Sequence, residues 1–378
     1  MNVDATLDLL GGLSPAQFMR RHWQRKPLLV RGAWAGVQPP LDRAALFALA
    51  GQEGVESRLL TRFDGAWRLR HGPFARRSIP PTTRPDWTLL VQGLDLHVPA
   101  ARAMLSRFRF VPEARLDDLM ISYASAGGGV GPHYDSYDVF LLQVHGRRRW
   151  RFGPLTDRSL VDGLPVKILQ SFEPREDVVL APGDMLYLPP LWGHDGQAVD
   201  ECMTCSIGFR AATATELAQQ LLPRLAEDLE PRAREPIYRD ARQPATETPG
   251  ALPASLRAYA QQVLERVLAE PQALDRALGS VLSEPKSQVW FDAGQALPAA
   301  PAALVLDRRS RMLYDAHHVF INGEAFVASG RDARLMRRLA DRRSLPGSAW
   351  TQLSEGARAL LDEWAQAGWL HARESEDE

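Results

Sequence analysis

Residues 127–150 limit what this chain can fold into more than any other stretch. A glycine-rich approach, Gly127-Gly128-Gly129-Val130-Gly131-Pro132, delivers His133 and Asp135. An apolar run with Val139, Phe140, Leu141, Leu142 and Val144 follows, and Gly146 then introduces Arg147, Arg148, Arg149 and Trp150. In extended backbone, side chains repeat every second residue, so His133 and Asp135 share a face. A neutral imidazole beside a carboxylate suits a first-row divalent metal. Two His and one carboxylate on one face form the facial triad of non-haem Fe(II) oxygenases, which leaves positions open for further ligands. The second His must come from farther along, and the best candidate is His194, in Leu186-Tyr187-Leu188-Pro189-Pro190-Leu191-Trp192-Gly193-His194. An isolated His-x-Asp carries little information. Here the glycine approach, the following strand, the arginine cluster and the distal His after Pro-Pro-x-Trp supply its context.

The charge balance excludes several partner classes. Against 45 basic residues stand 46 acidic ones, a net charge of −1, so no global basic field points to nucleic acid. Only Lys26, Lys167 and Lys286 are lysines, a bias that codon usage explains more cheaply than phosphate recognition. With 378 residues, 45% of them hydrophobic and 24% charged, the chain can bury two or three domains' worth of core. Two cysteines, Cys202 and Cys205, rule out a disulfide scaffold. Their CxxC spacing falls in a strand pattern that sends them to opposite faces, which favours buried thiols over redox chemistry. The N-terminus lacks a basic and apolar leader pattern, and no apolar run approaches 18 residues, so a cytoplasmic protein with no membrane span is expected.

Strand patterns concentrate in residues 96–212. Along 116–123, Asp118, Met120 and Ser122 share one face, polar enough to line a cavity, and Asp117, Leu119, Ile121 and Tyr123 the other. Further strands are expected over 138–145, from Arg148, over 177–180, over 185–188 after the turn Ala181-Pro182-Gly183-Asp184, and over 201–209. Arg148 and Trp150 share a face, while Arg147 and Arg149 read as an exposed basic edge strand. Short strands between Pro/Gly turns indicate an antiparallel barrel or jelly roll. Residues 1–95 read as an N-terminal segment packed on that barrel, with helices over 16–23, after the Ser14-Pro15 start, and over 41–51. Residues 213–285 change character. Leu217, Leu221, Leu225 and Leu229 recur every four residues after a cap at Thr215, a Pro/Arg-rich break spans 231–253, and two more amphipathic helices follow. Residues 286–378 read as a small α+β domain. It has an Asn322-Gly323 hairpin, helices over 332–339 and 356–368, and Arg334, Arg338 and Arg342 on one solvated helix face.

A second argument comes from the cation. An Fe(II) oxygenase using 2-oxoglutarate must hold a dicarboxylate, whose far end needs a buried guanidinium. Arg148 is the candidate because it shares its face with Trp150, and Ser122 on a neighbouring strand could complete the site.

At this point the runs 129–140, 146–150 and 189–194 resemble the JmjC-type ribosomal oxygenases, and 18–27, with Trp23 and Lys26-Pro27, is similar to that family's N-terminal signature. The resemblance covers the whole chain and is to the bacterial branch. It implies an α+β fold: a double-stranded β-helix, the cupin-like jelly roll of JmjC proteins, then a helical dimerisation region and a C-terminal winged helix. It implies hydroxylation of an arginine β-carbon in large-subunit ribosomal protein sixteen, using Fe(II), 2-oxoglutarate and O2, by a homodimer. Carried over by position, His133, Asp135 and His194 would bind iron, Ser122 and Arg148 would bind 2-oxoglutarate, and Asp118, Met120, Tyr137 and Ser206 would form the arginine pocket. Two other readings stay open: a histidine hydroxylase or demethylase of the same superfamily, and a non-catalytic barrel that binds a ribosomal partner.

Overall fold

The structure is a computed structural model that describes residues 2–227 and 237–373. It divides into two compact units, residues 1–211 and 212–378. Leu229 of the expected leucine stripe and residues 231–236 of the expected break lie outside the described residues.

The first unit begins with α1 (Pro15–Arg21), β1 (Leu28–Val30), α2 (Arg43–Leu49), β2 (Ser57–Phe63), β3 (Ala66–His71) and β4 (Trp87–Val91). Then come α3 (Leu94–His97), α4 (Pro99–Ser106), β5 (Leu116–Ala124), β6 (His133–Tyr134), β7 (Val139–His145) and β8 (Arg148–Pro154). It closes with β9 (Glu176–Leu180), β10 (Met185–Leu188), β11 (Trp192–Ala198) and β12 (Cys202–Phe209). Both long N-terminal helices start where their side chains dictate. Ser14 and Gln17 form a reciprocal capping box ahead of Pro15, and Asp42 accepts from the Ala45 N–H.

Two antiparallel sheets result. The larger runs β1-β10-β7-β12-β5-β4-β2-β3 and the smaller β6-β11-β8-β9. The N-terminal segment therefore does more than cover the barrel, since β1 pairs with β10 and β4 with β5, extending the large sheet at both ends. Period-two alternation assigns the faces. Leu119, Ile121 and Tyr123, Phe140 and Leu142, Met185 and Tyr187, and Cys205 and Ile207 pack into the main core with Leu10, Phe18, Leu46 and Phe108. The alternate residues turn inward, where Val139, Leu141, Leu186 and Leu188 meet Trp150, Phe152 and Leu180. Both cysteines are buried and unpaired on β12, as the strand reading required. The expected basic edge is corrected by pairing. β8 lies between β11 and β9, so Arg149 is exposed on an interior strand and paired with Asp177, while Arg147 sits exposed in the turn just before it, paired with Asp200.

The second unit contains α5 (Ala214–Glu227), α6 (Ala254–Ala269), α7 (Ala273–Ser283), β13 (Ala303–Leu306), β14 (Met312–Tyr314), β15 (His318–Ile321) and β16 (Glu324–Val327). After these come α8 (Gly330–Arg342), β17 (Ser344–Pro346), α9 (Gly347–Trp350), α10 (Glu355–Gln366) and β18 (Leu370–Arg373). The cap of α5 is Thr213 rather than Thr215. Thr213 bonds the Glu216 N–H while Glu216 bonds back to Thr213, the three-residue spacing of a capping box. The hairpin joins β15 to β16 through Asn322 and Gly323, both at positive φ, as a two-residue turn matched to strand twist demands. The three-stranded sheet β17-β13-β18 packs with α8 and α10 around Leu339, Leu361 and Trp364. Among the described residues no helix is long and apolar enough to cross a membrane.

Candidate active site

Strand pairing assembles the site. β6 is two residues long and pairs with β11 so that His133 stands opposite His194. The two imidazole rings are 4.2 Å apart between centroids, and Asp135 Oδ2 lies 3.6 Å from His194 Nε2. Ligand atoms of His133, Asp135 and His194 all fall within 4.8 Å of one another, close enough to share one ion. Each imidazole is oriented by a backbone carbonyl, His133 Nδ1 donating to Gly131 O at 2.8 Å and His194 Nδ1 to Trp192 O at 3.0 Å. That leaves both Nε2 lone pairs for a cation, the usual division of labour in a metal-bound histidine. Burial, then the neighbouring His133, pushes His194 down to about 4, so it is neutral and ready to ligate at neutral pH. The turn that aims His194 is strained. Leu191 takes φ 65°, a left-handed conformation unusual for leucine, and its N–H is tied to the Asp135 carbonyl at 2.7 Å.

A cavity of about 580 Å³ opens from these three residues into the space between the sheets. Arg148 lies inside it, 3% exposed. Gly146, at φ 60°, makes the sharp turn into β8, where an added Cβ would run into the Glu201 carbonyl. Gly196 is needed for close approach, because a Cβ there would stand 2.9 Å from Arg148 Nε. The guanidinium donates to Ser122 Oγ at 3.0 Å and to Gly196 O at 3.1 Å, and it lies 5.0 Å from the Trp150 ring centroid. Its Nε is buried without a partner, and none of the described residues sets a carboxylate in salt-bridge contact with it. Burial lowers its pKa, opposed by the charge of Asp195. A buried cation with an idle donor fits an incoming carboxylate.

The remaining sequence candidates line the same cavity. Met120 and Ser206 are a cross-strand pair of β5 and β12. Asp118 is 2% exposed and engaged, accepting from Gln92 Nε2 at 2.8 and 3.1 Å and from the Gly93 N–H at 2.9 Å. Asp118 is thus part of the cavity wall, with its carboxylate already held by the chain. Tyr137 is 39% exposed overall. The burial of its hydroxyl end and the nearby Asp135 charge hold that hydroxyl firmly protonated.

Sequence reasoning missed Gln92 and Arg58. Arg58 Nη2 donates to Gln92 Oε1 at 2.9 Å, completing a chain from Arg58 through Gln92 to Asp118. Gln92 follows β4, 26 residues from Asp118, and no local pattern links them. β11 was missed as a strand for a similar reason. Its two glycines and polar residues show no alternation.

The JmjC domain family matches residues 103–217, and the ROXA-like winged helix family matches residues 266–371. The Escherichia coli ribosomal protein uL16 3-hydroxylase is 41% identical over 204 residues, 53% of this chain and 53% of that protein. A probable ribosomal oxygenase of Haemophilus influenzae is 35% identical over 210 residues, 54% of this chain and 52% of that protein. In both comparisons the chain spans about half the length of the curated relatives it matches. The solved structure of YcfD, a ribosomal oxygenase from Escherichia coli, superposes with a TM-score of 0.81 at 28% identity, covering 96% of this chain and 98% of that one. YcfD in complex with cobalt and 2-oxoglutarate gives 0.79, covering 94% and 97%. Fold and site thus define a JmjC-type double-stranded β-helix carrying a ROXA-like winged helix. The chain is similar to bacterial ribosomal oxygenases in sequence over about half its length and in fold over nearly all of it.

Proposed function

We propose that this protein is an Fe(II)- and 2-oxoglutarate-dependent hydroxylase of an arginine side chain, at its β-carbon, in large-subunit ribosomal protein sixteen. The observation that carries this reading is the meeting, in one cavity, of the His133/Asp135/His194 donor set and a buried Arg148 that contacts no carboxylate among the described residues. Iron held there with 2-oxoglutarate and O2 supplies the oxidising power, with succinate and carbon dioxide as co-products. His133, Asp135 and His194 would hold the metal. Arg148 and Ser122 fix the far carboxylate of the cosubstrate by a charge-assisted fork. Asp118, steadied by Gln92, faces the substrate guanidinium. Met120 and Tyr137 flank its aliphatic stem, and Ser206 accepts from a remaining N–H. The inward apolar residues Val139, Leu141 and Trp150 exclude water from the reacting carbon.

The chain acts in the cytoplasm as a homodimer. Support for the dimer comes from α6, which buries no residue in its own unit yet exposes Leu256, Val263, Leu264 and Leu268. The decisive experiment incubates purified enzyme, Fe(II), 2-oxoglutarate and O2 with the ribosomal protein. Tandem mass spectrometry should place one added oxygen on an arginine β-carbon. Oxidation of a histidine, loss of a methyl group, or no change would overturn the assignment.

A further inference from the structure

The sequence presented Arg334, Arg338 and Arg342 as one solvated helix face, and the balanced net charge argued against nucleic acid. The second unit shows something more built. A groove of about 910 Å³ runs between α8 and the sheet β17-β13-β18. Its walls carry Arg334, Arg337, Arg338 and Arg342 from α8 and Arg373 from β18, against one acid among the described residues, Asp341. Asp341 is engaged by the Tyr314 hydroxyl at 3.1 and 3.2 Å. Arg337 is fixed, donating to Ala316 O at 2.7 Å with its guanidinium 5.6 Å from the Tyr314 ring centroid, and its buried Nε has no partner. Arg334, Arg338, Arg342 and Arg373 form no ion pair with another described residue, although exposed pairs of arginine with a carboxylate are common elsewhere in this chain.

Among the described residues, five clustered cations with one engaged acid are costly to the fold by self-repulsion, and an anionic partner relieves it. Arg334, Arg338 and Arg342 are spaced about 6 Å apart along the helix, from the rise of about 1.5 Å per residue. A row of planar forks at regular spacing suits a run of phosphates better than a single anion. Tyr314, 41% exposed at the lip of the groove, offers a ring on which a base can stack. The helix pair α9 and α10 is the usual route of such a fold into a DNA major groove. Here α10 carries Glu355, Asp362 and Glu363, which repel a duplex. From these observations we infer that the groove along α8 binds single-stranded RNA, with Arg334, Arg338 and Arg342 tracking the backbone and Tyr314 stacking one base. The choice of RNA over DNA rests on the proposed function, since a ribosomal protein is met beside RNA.

The test is fluorescence anisotropy of a labelled 12-nucleotide single-stranded RNA of mixed sequence with the full chain, titrated at 50–200 mM KCl. Binding should weaken with salt with a log–log slope of about −2, from roughly −0.7 per phosphate neutralised on a single strand and three phosphates engaged. The triple variant Arg334→Gln/Arg338→Gln/Arg342→Gln keeps good helix formers and should lose at least about tenfold in affinity and most of the salt slope. Tyr314→Leu should weaken binding about tenfold while leaving the slope intact. Hydroxylation of a free substrate peptide should be the same in all three proteins, so loss of RNA binding and failure of the enzyme assignment are separable. The proposal is overturned by no RNA binding at 50 mM salt, by equal binding in the triple variant, or by single-stranded DNA or polyglutamate binding as well as RNA.

Discussion

Replacing Arg148 by methionine separates the two energies that meet at this residue. In the cosubstrate-free protein, desolvation of the guanidinium costs several kcal/mol. Hydrogen bonds to Ser122 and Gly196 and the Trp150 ring offset it, at about 1.5–3 kcal/mol for each charged hydrogen bond and up to about 2 for the ring. These terms nearly cancel, and methionine fills much of the same volume. Arg148→Met should therefore change the stability of the free protein by no more than about 1 kcal/mol, or roughly 2–4 °C in melting temperature for a unit of this size. With 2-oxoglutarate the balance differs, because the far carboxylate then sits in the cavity with no cation. Losing one partner of a buried pair costs about 3–5 kcal/mol, which is two to three and a half orders of magnitude in affinity.

Thermal unfolding with and without 2-oxoglutarate, in the presence of manganese(II) as a redox-quiet metal, reads both quantities. At about 100 times its dissociation constant, 2-oxoglutarate should stabilise the wild type by roughly 2.7 kcal/mol and the variant by almost nothing. A variant that still gains the full ligand-dependent shift would refute the assignment of Arg148. A variant that is more than about 3 kcal/mol less stable without ligand would refute the near-balance and make Arg148 a structural residue.

Two further expectations follow from particular contacts. Gln92→Leu removes the amide that holds both Asp118 oxygens, so the peptide KM should rise at least about tenfold while the 2-oxoglutarate KM stays put, since a hydrogen bond to a charged group is worth about 1.5–3 kcal/mol. Equal effects on both constants would dissociate Gln92 from the substrate pocket. Asp184 ties β1 to the large sheet: burial raises its pKa, but the Ala181 and Gly32 N–H groups and Arg31 outweigh that and hold it below the usual carboxylate range. Its stabilisation is present above the unfolded carboxylate pKa of about 3.9 and is lost as pH falls through the lower folded value. Asp184→Asn should thus lower stability at pH 7 by about 1–3 kcal/mol, and the gap to wild type should shrink below about pH 4 in urea titrations. A gap that stays constant across that range would show that the charge of Asp184 does not matter.

What the sequence made legible was whatever depends on the two faces of one element. His133 and Asp135 share a face, Arg148 turns inward while its arginine neighbours turn out, and Asp118, Met120 and Ser122 line one wall, all from a period of two. The cap at Ser14 was legible because proline follows it, but the Thr213/Thr215 choice needed the Glu216 contact itself. Pairing was not legible. β6 is too short to show a period, and β11 has glycines where alternation would be seen, yet their register sets the metal site. The N-terminal strands could not be assigned to the large sheet for the same reason. Nor could the arginine face of α8 be known as a groove, because Tyr314, Ala303 and Arg373 reach it from three separate strands.

If the proposed function holds, the register of the large sheet also explains how one cavity can hold two carbon chains without confusing them. On β5 the inward residues Ser122, Met120 and Asp118 follow one another at two-residue steps, roughly 6.6 Å each at about 3.3 Å per residue. Ser122 is bound to Arg148, so the cosubstrate carboxylate belongs at one end of this ruler. Asp118, held by Gln92 and Gly93, marks the other, roughly 13 Å away on the same backbone. Under the proposed function, the cation for the cosubstrate and the anion for the substrate are thus kept apart by a rigid strand, with His133 and His194 reaching in from the opposing sheet. Had the two charges been adjacent, Arg148 would have paired with Asp118 and neither would be left to select a ligand. Under the proposed function, selectivity for an arginine therefore lies in the spacing of β5 as much as in the identity of its side chains.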